Sequence, residues 1–394
     1  MHMATLDAKG IMVRKIMIDF AERTGLSPAG FSPERYLWTD AFAVCNFLGL
    51  YRQTGDAQYR DLALLLVDQV HTVLGRHRED SDRTGWISGL NEEKGQRHPT
   101  AGGLRVGKKM NERKPDDPFD EELEWDRDGQ YFHYLIQWMH ALDCVSRVTG
   151  DPTFNRWAYE LAKTAHARFS YVPGMGGEKR LYWKMSIDLS YPLVSSMGHH
   201  DPLDGLITYR EIQATSRKLS GQPPSQDLSG EIADMAGICK GKHWETDDPL
   251  GIGGLLIGAC RMAQTILAGS VTGNDLLETV LQDSLASLAF FSSSASLRLP
   301  ADYRLAFREL GLSIGLQAVQ RFQELADQYP DIFRKHLGHA RIQSFGRFAP
   351  LREAINTFWL EEKNRKSAMW TEHRTINMVM LATSLAPEGY LSTP

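Results

Sequence analysis

Thr54-Gly55-Asp56-Ala57-Gln58-Tyr59 returns as Thr149-Gly150-Asp151-Pro152-Thr153-Phe154, and more faintly as Thr272-Gly273-Asn274-Asp275. Each copy stands between two segments of helical period. Glycine takes the left-handed conformation that ends one helix, and Asp or Asn caps the next. Aligning the first two copies places Ala63 on Ala158, Leu66 on Leu161 and His71 on His166. One helical hairpin is therefore reused around a larger body, and repetition of this kind fixes the architecture before any local detail.

Working outward, apolar residues recur at i, i+3, i+4 and i+7 along most of the chain. The pattern predicts helices near 9–24, 35–53, 57–76, 128–148, 152–169, 202–220, 225–239, 250–268, 274–292, 302–327, 330–340, 348–362 and 370–386. Strand signals are confined to Arg180–Met185 and Leu104–Val106. Ala41–Tyr51 and Gly251–Cys260 are almost free of charge, whereas Tyr59–His71 and Phe154–His166 carry a charged face. A helix apolar all round is buried, and an amphipathic one covers it. Alternating inner and outer helices, about six of each, predict an all-α fold, an (α/α)6 toroid. A stacked solenoid would not need such apolar inner helices. Gly251-Ile252-Gly253-Gly254 follows no strand and reads as a close helix–helix approach.

Residues 77–127 and 170–200 break the helical pattern with glycines and prolines. Loops of this length are functional or disordered, and these carry Trp86, His98, Tyr182, Trp183 and Tyr191, which disordered segments rarely do. They read as ordered loops over one mouth of the barrel. No boundary resembles a flexible linker, so residues 1–394 are expected to form one domain, with residues 1–8 flexible and Met1-His2-Met3 an expression remnant.

At 42% hydrophobic and 24% charged the chain has the composition of a globular protein. The net charge of -5 comes without a basic cluster, which argues against nucleic acid. No apolar run is expected to span a membrane, and the N-terminus has no signal-peptide pattern. Cys45, Cys144 and Cys260 lie in apolar helical runs, where a free thiol acts as a small hydrophobe. No disulfide, a reducing cytoplasmic location and no cysteine-based metal site are expected. There is no GxGxxG after a strand, no GxxxxGK[ST], no GxSxG and no HExxH, and no cofactor is expected.

Acidic residues recur where inner helices are expected to begin: Trp38-Thr39-Asp40, Trp125-Asp126-Arg127-Asp128, His200-Asp201-Pro202, Asp247-Asp248-Pro249 and Trp370-Thr371-Glu372. If these helices run the same way, the acids converge on one mouth. Capping competes with this reading. Asp201-Pro202 and Asp248-Pro249 are explained by an N-cap followed by proline, and Asp128 before Gly129 also fits a cap. Asp40 is different, because a carboxylate at the edge of an apolar run is costly unless paired or functional.

His199 and His200 beside Asp201 suggest metal binding or acid–base work, or rings packed on the rim. His133 is equally a site residue or a hydrogen-bonded core histidine. Glu372, His373 and Arg374 belong to the same mouth in this reading, with Arg374 suited to an anionic group. Trp86, Trp125, Tyr131, Trp183 and Tyr191 are candidates to stack on sugar faces, or to pack the rim.

Trp38-Thr39-Asp40-Ala41-Phe42, followed by Tyr51 and the Thr54-Gly55-Asp56 turn, resembles the six-hairpin glycosidase superfamily, most closely the opening hairpins of unsaturated glucuronyl and rhamnogalacturonyl hydrolases. The resemblance covers roughly residues 35–170 by motif. It implies a glycoside hydrolase acting on a possibly acidic oligosaccharide, with Asp40 and either Asp126 or Asp128 as the acid/base pair. Trp38, Trp86, Trp125, His133, Trp183, His199, His200, Glu372, His373 and Arg374 would then contact substrate. No counterpart for Ser196–Asp201 or Trp370–Arg374 is recognised in that family. A sugar epimerase of the acylglucosamine-epimerase type would instead rest on His199, His200 and His373, and a non-catalytic glycan- or partner-binding toroid on neither set. The expected partner is a small-molecule or oligosaccharide substrate, with homo-oligomerisation open.

Overall fold

The computed structural model describes residues 7–28, 33–174, 176–220, 227–269, 275–337 and 339–391. Thirteen helices of eight residues or more carry the fold among them. They are α1 (Ala8–Arg23), α2 (Leu37–Thr54), α3 (Ala57–Leu74), α4 (Phe132–Thr149), α5 (Pro152–Phe169), α6 (Asp201–Ser220), α7 (Ser229–Cys239), α8 (Pro249–Leu267), α9 (Asp275–Ser293), α10 (Ala306–Gln328), α11 (Pro330–Leu337), α12 (Ala349–Leu360) and α13 (Arg374–Leu385).

The repeated hairpin is real. Gly55 and Gly150 both sit at left-handed dihedrals, φ 72° and 74° with ψ 4°, and close helices of 18 residues each. Asp56 then accepts from the Gln58 backbone amide at 3.0 Å and Asp151 from that of Thr153 at 2.8 Å, each opening another helix of 18 residues. The aligned Ala63/Ala158, Leu66/Leu161 and His71/His166 are all buried. The third copy lies mostly outside the described residues.

Contacts divide the chain into two compact units, Ala21–Tyr51 with Gly55–Lys240, and Met1–Phe20 with Arg52–Thr54 and Gly241–Pro394. In the first, α2 and α4 are buried on nearly every side, whereas α3 and α5 bury one stripe. In the second, α8 and α10 cross at glycines: a Cβ on Gly253 would lie 2.2 Å from the Gly311 carbonyl oxygen. The Gly251–Gly254 run therefore serves close helix packing. Helix α8 is also long and apolar enough to cross a membrane by composition, contrary to the expectation of no such run, and 72% of that window is buried in the protein.

Of the predicted strands, Arg180–Met185 forms β3 (Arg180–Leu181) and β4 (Lys184–Met185), alongside β1 (Gln130–Tyr131), β2 (Ser170–Tyr171) and β5 (Pro192–Val194). They form a β1-β4-β5 sheet and a β2-β3 pair, antiparallel throughout. Leu104–Val106 is not a strand. Its backbone amides donate to the Gln130 side chain, the Leu74 carbonyl and the Gly129 carbonyl, partners scattered over loops and a helix end.

Candidate active site

The β1–β4 pairing sets Gln130 opposite Met185 and Tyr131 opposite Lys184, holding the 170–200 loop against the start of α4. Lys184 is wholly buried and donates to Glu124 Oε1 at 2.8 Å and to the carbonyls of Glu124 and Arg127. The two long loops are thus stapled to each other, and aromatic rings gather beside the staple. Trp183 stacks on His133 at 6.1 Å between centroids and 14° between planes. Trp125 meets Trp183 edge-on at 5.1 Å, and Tyr131 meets it at 5.2 Å. Trp38, from the first turn of α2, lies 6.0 Å from His133 and 5.4 Å from Tyr134. Tyr36 and Tyr134 share a hydrogen bond of 2.6 Å.

Asp201, the first residue of α6, faces this cluster. Its Oδ1 lies 3.9 Å from His133 Nδ1. Burial, then the charge of Asp204, push its carboxyl up to about 8, and the Gly198 backbone amide opposes them weakly. Gly198 is required here, because a Cβ at that position would lie 2.4 Å from the carboxyl. Burial pulls His133 down to about 4, so both groups are neutral near pH 7. Asp201 Oδ2, His133 Nδ1, Trp38 Nε1 and Thr39 Oγ1 are buried with no hydrogen-bond partner in the protein. Each such group costs about 1–3 kcal/mol, and those of Asp201, His133 and Trp38 lie at the same aromatic cluster.

The expected acids fare differently. Asp40 is buried in the first turn of α2, where its Oδ2 accepts from the Tyr36 amide at 3.0 Å and its Oδ1 lies 3.6 Å from Arg35 Nη1. Burial raises its carboxyl to about 6 against the pull of Arg35 and the Tyr36 amide. Asp128 accepts from Arg78 and Arg105 at 3.2 and 2.9 Å, and from the amides of Gly107 and Gly129, both at 3.0 Å. Four donors make it an anchor between loops. It does not open a helix, because Gln130 and Tyr131 are taken by β1 and α4 begins at Phe132 with Tyr131 at its N-cap. Asp126 is exposed at the end of the short helix Glu121–Asp126.

Among the expected contact residues, Trp38, Trp125, His133 and Trp183 come together, with Tyr131. Trp86 is packed elsewhere, under the Arg76 guanidinium at 4.4 Å and against Gly95. Tyr191 donates to the Arg113 carbonyl at 2.7 Å. His199 is exposed and His200 half-buried, their rings 4.8 Å apart. Glu372 and its neighbours belong to the other unit. Trp370-Thr371-Glu372 ends the short helix Ala368–Glu372, which Ser367 caps, so it opens no inner helix. Trp370 is stacked on Trp359, Glu372 is exposed, and His373 meets Phe307 edge-on at 5.6 Å. The likeness of this segment to Trp38-Thr39-Asp40 does not extend to structure.

Sequence reasoning passed over Asp201 because Asp-Pro is sufficiently explained by capping. The available signal was Gly198 three residues earlier. Tyr36 and Tyr134 gave none. It also set aside metal binding by cysteine, yet Cys45, His140 and Cys144 offer donor atoms all within 4.8 Å of one another. Their separation in sequence concealed a meeting of two helices.

No family model matches the chain, and no curated protein does. Solved structures do. The GH76A α-1,6-mannanase of a Salegentibacter species is 12% identical with a TM-score of 0.53, covering 96% of this chain and 99% of that one. A GH76 α-mannanase of Bacteroides thetaiotaomicron is 7% identical with a TM-score of 0.56, covering 97% and 96%. A sugar epimerase from a ruminal bacterium is 10% identical with a TM-score of 0.50, covering 95% and 98%. None of the three carries the finer likeness to unsaturated glucuronyl hydrolases. What they share with this chain from end to end is its architecture, an all-α fold of the (α/α)6 toroid type.

Proposed function

We propose that this protein is a carbohydrate-active enzyme, and that it hydrolyses a glycosidic bond at the Asp201–His133 cluster. The observation that carries the reading is a buried carboxyl, held protonated near neutral pH, beside aromatic rings suited to sugar faces. A general acid needs a raised pKa, because it must hold its proton until the leaving oxygen takes it. Asp201 gives its proton to the glycosidic oxygen as the C1–O bond breaks with its electron pair going to that oxygen. A water oxygen bonds to C1 and loses its proton to a second carboxyl. Asp40, ionised above about pH 6, is that carboxyl, and it must part from Tyr36 and Arg35 to reach the water. The fold neighbours, mannanases among them, make an oligosaccharide the substrate class to try first.

The hold on Asp40 favours a second reading. If it stays on Tyr36 and Arg35, Asp201 and His133 are left as the acid–base pair, an arrangement closer to epimerisation beside a carbonyl. Product analysis in labelled water separates the two. With α-1,6-linked manno-oligosaccharides and a panel of reducing sugars, hydrolysis creates new reducing ends and places solvent oxygen at C1. Epimerisation leaves the number of sugars unchanged and puts solvent deuterium on the carbon next to the carbonyl. Binding without either label would sink both readings and leave a glycan-binding toroid.

A further inference from the structure

Two turns below His133 on α4, and five residues past Asp40 on α2, lies a second cluster that the proposed reaction does not use. His140 and Cys144 stand four residues apart, on one face of α4. Cys45 reaches them from α2, and all three are buried. His140 Nε2 and Cys144 Sγ are 3.6 Å apart, and the Cys45 sulfur lies within 4.8 Å of both. A tetrahedral ion with bonds of about 2.3 Å to sulfur and about 2.05 Å to nitrogen holds those donors about 3.6 Å apart.

The surroundings suit ligation. Glu211 Oε2 lies 3.4 Å from His140 Nδ1. The charge of a carboxylate at that distance favours the proton on Nδ1 and leaves the Nε2 lone pair on the side of the sulfurs, the tautomer that metal-bound histidines use. Arg147 Nη2 donates to the Cys144 sulfur at 3.0 Å while its Nε pairs with Asp143 at 3.2 Å. That contact fixes the direction of the Cys144 sulfur, and Asp143 offsets the charge of the arginine. Two thiolates and one imidazole are a soft donor set, selective for thiophilic d10 ions over magnesium or calcium.

We propose that Cys45, His140 and Cys144 form a buried three-donor site for one thiophilic d10 ion, copper(I) held by the three alone or zinc(II) with a solvent molecule in its fourth position. Loading releases the two thiol protons to solvent as two metal–sulfur bonds form and the neutral imidazole adds its lone pair. The ion would tie α2 to α4, the helices whose first turns present Trp38 and His133.

Metal content tests this. Full-length protein is produced with zinc and copper both supplied, purified without chelator, and analysed by mass spectrometry of the elements. Stoichiometric zinc or copper is expected in the wild type and Cys260→Ala, and a loss of most of it in Cys45→Ala/Cys144→Ala and in His140→Gln. Cobalt(II) titration distinguishes the ions. Sulfur-to-cobalt charge-transfer bands with tetrahedral d–d bands point to zinc, whereas tight copper(I) binding against a competing chelator with no cobalt spectrum points to copper. Metal-free protein that takes up neither ion overturns the proposal, as does a Cys45–Cys144 disulfide without metal, or metal retained in the double variant. If that variant does not fold, uptake and the cobalt spectrum of the wild type decide alone.

Discussion

Asp128 and Asp201 are both buried carboxyls close to the start of an inner helix, and their surroundings are opposite. Asp128 accepts four hydrogen bonds, two of them from guanidinium groups. Asp201 has one weakly opposing backbone amide from Gly198, an acidic neighbour in Asp204, and an oxygen with no partner in the protein. Burial alone therefore does not distinguish a structural carboxyl from a reactive one. The count of donors does. A carboxyl given four donors holds loops together. One stripped of donors keeps its proton, and a proton kept at neutral pH is what acid catalysis requires.

Removing the proposed acid should have the largest effect. Asp201→Asn keeps the shape and cannot supply the proton, so kcat/KM should fall by about 10²–10⁴-fold. The same change should stabilise the fold in base. The folded pKa of Asp201, about 8, lies above the unfolded value of about 3.9. Its contribution is fully present below about pH 4 and is lost as the pH rises through about 8. Denaturant titrations at pH 5 and 9 should show Asp201→Asn gaining on the wild type by a few kcal/mol, on the order of the shift at 1.36 kcal/mol per unit. Equal loss of activity and of stability at pH 9 would place Asp201 with Asp128 as an anchor.

Asp128→Ala is the mirror experiment. It removes the carboxylate shared by Arg78 and Arg105, which keep Asp80 and the carbonyls of Lys108, Lys109, Arg76 and Val73 as acceptors. Leaving a buried charge wholly unpaired costs about 3–5 kcal/mol, and with these acceptors kept the loss should be smaller, about 1–3 kcal/mol. The midpoint of chemical denaturation should drop accordingly, while the folded fraction at low temperature keeps its pH optimum. An altered optimum with unchanged stability would return Asp128 to the chemistry. For the wild type, an acid near 8 and a base near 6 predict a bell-shaped kcat/KM centred at about pH 7. A lone basic limb, with no fall toward pH 5, would remove Asp40 from the reaction and favour the epimerase reading.

Much of the architecture was legible. The Thr-Gly-Asp turn announced the hairpin because left-handed glycine and an Asp cap are local requirements, readable without the rest of the fold. Helix ends came within a few residues for the same reason. What was not legible depended on partners far away in sequence. Asp128 read as a catalytic acid or a cap, and its contacts with Arg78 and Arg105 come from residues distant in sequence. Asp201 looked like a cap because the same two letters, Asp-Pro, serve both purposes. Cys45 and Cys144 looked like two hydrophobes until two helices were laid side by side. Trp38-Thr39-Asp40 and Trp370-Thr371-Glu372 looked alike, yet one begins an 18-residue helix and the other ends a helix of five.

The smallest effect sharpens the contrast from the side of the substrate. Trp183 is half-buried and stacked on His133, whereas Trp86 is nearly enclosed beneath Arg76. Trp183→Ala removes a ring from the face where a sugar would lie without opening a core cavity, so stability should hold and KM should rise by about tenfold or less, matching the ~0.5–1.5 kcal/mol of an aromatic contact. His133 would lose its stacked partner at the same time. A ring better exposed to water is less penalised for carrying charge, so its pKa should climb from about 4 toward 6.5. An NMR titration of His133 in Trp183→Ala reads that directly. A rise in KM with the histidine unmoved would assign Trp183 to the sugar alone, and a moved histidine with unchanged KM would assign it to keeping the Asp201–His133 pair neutral.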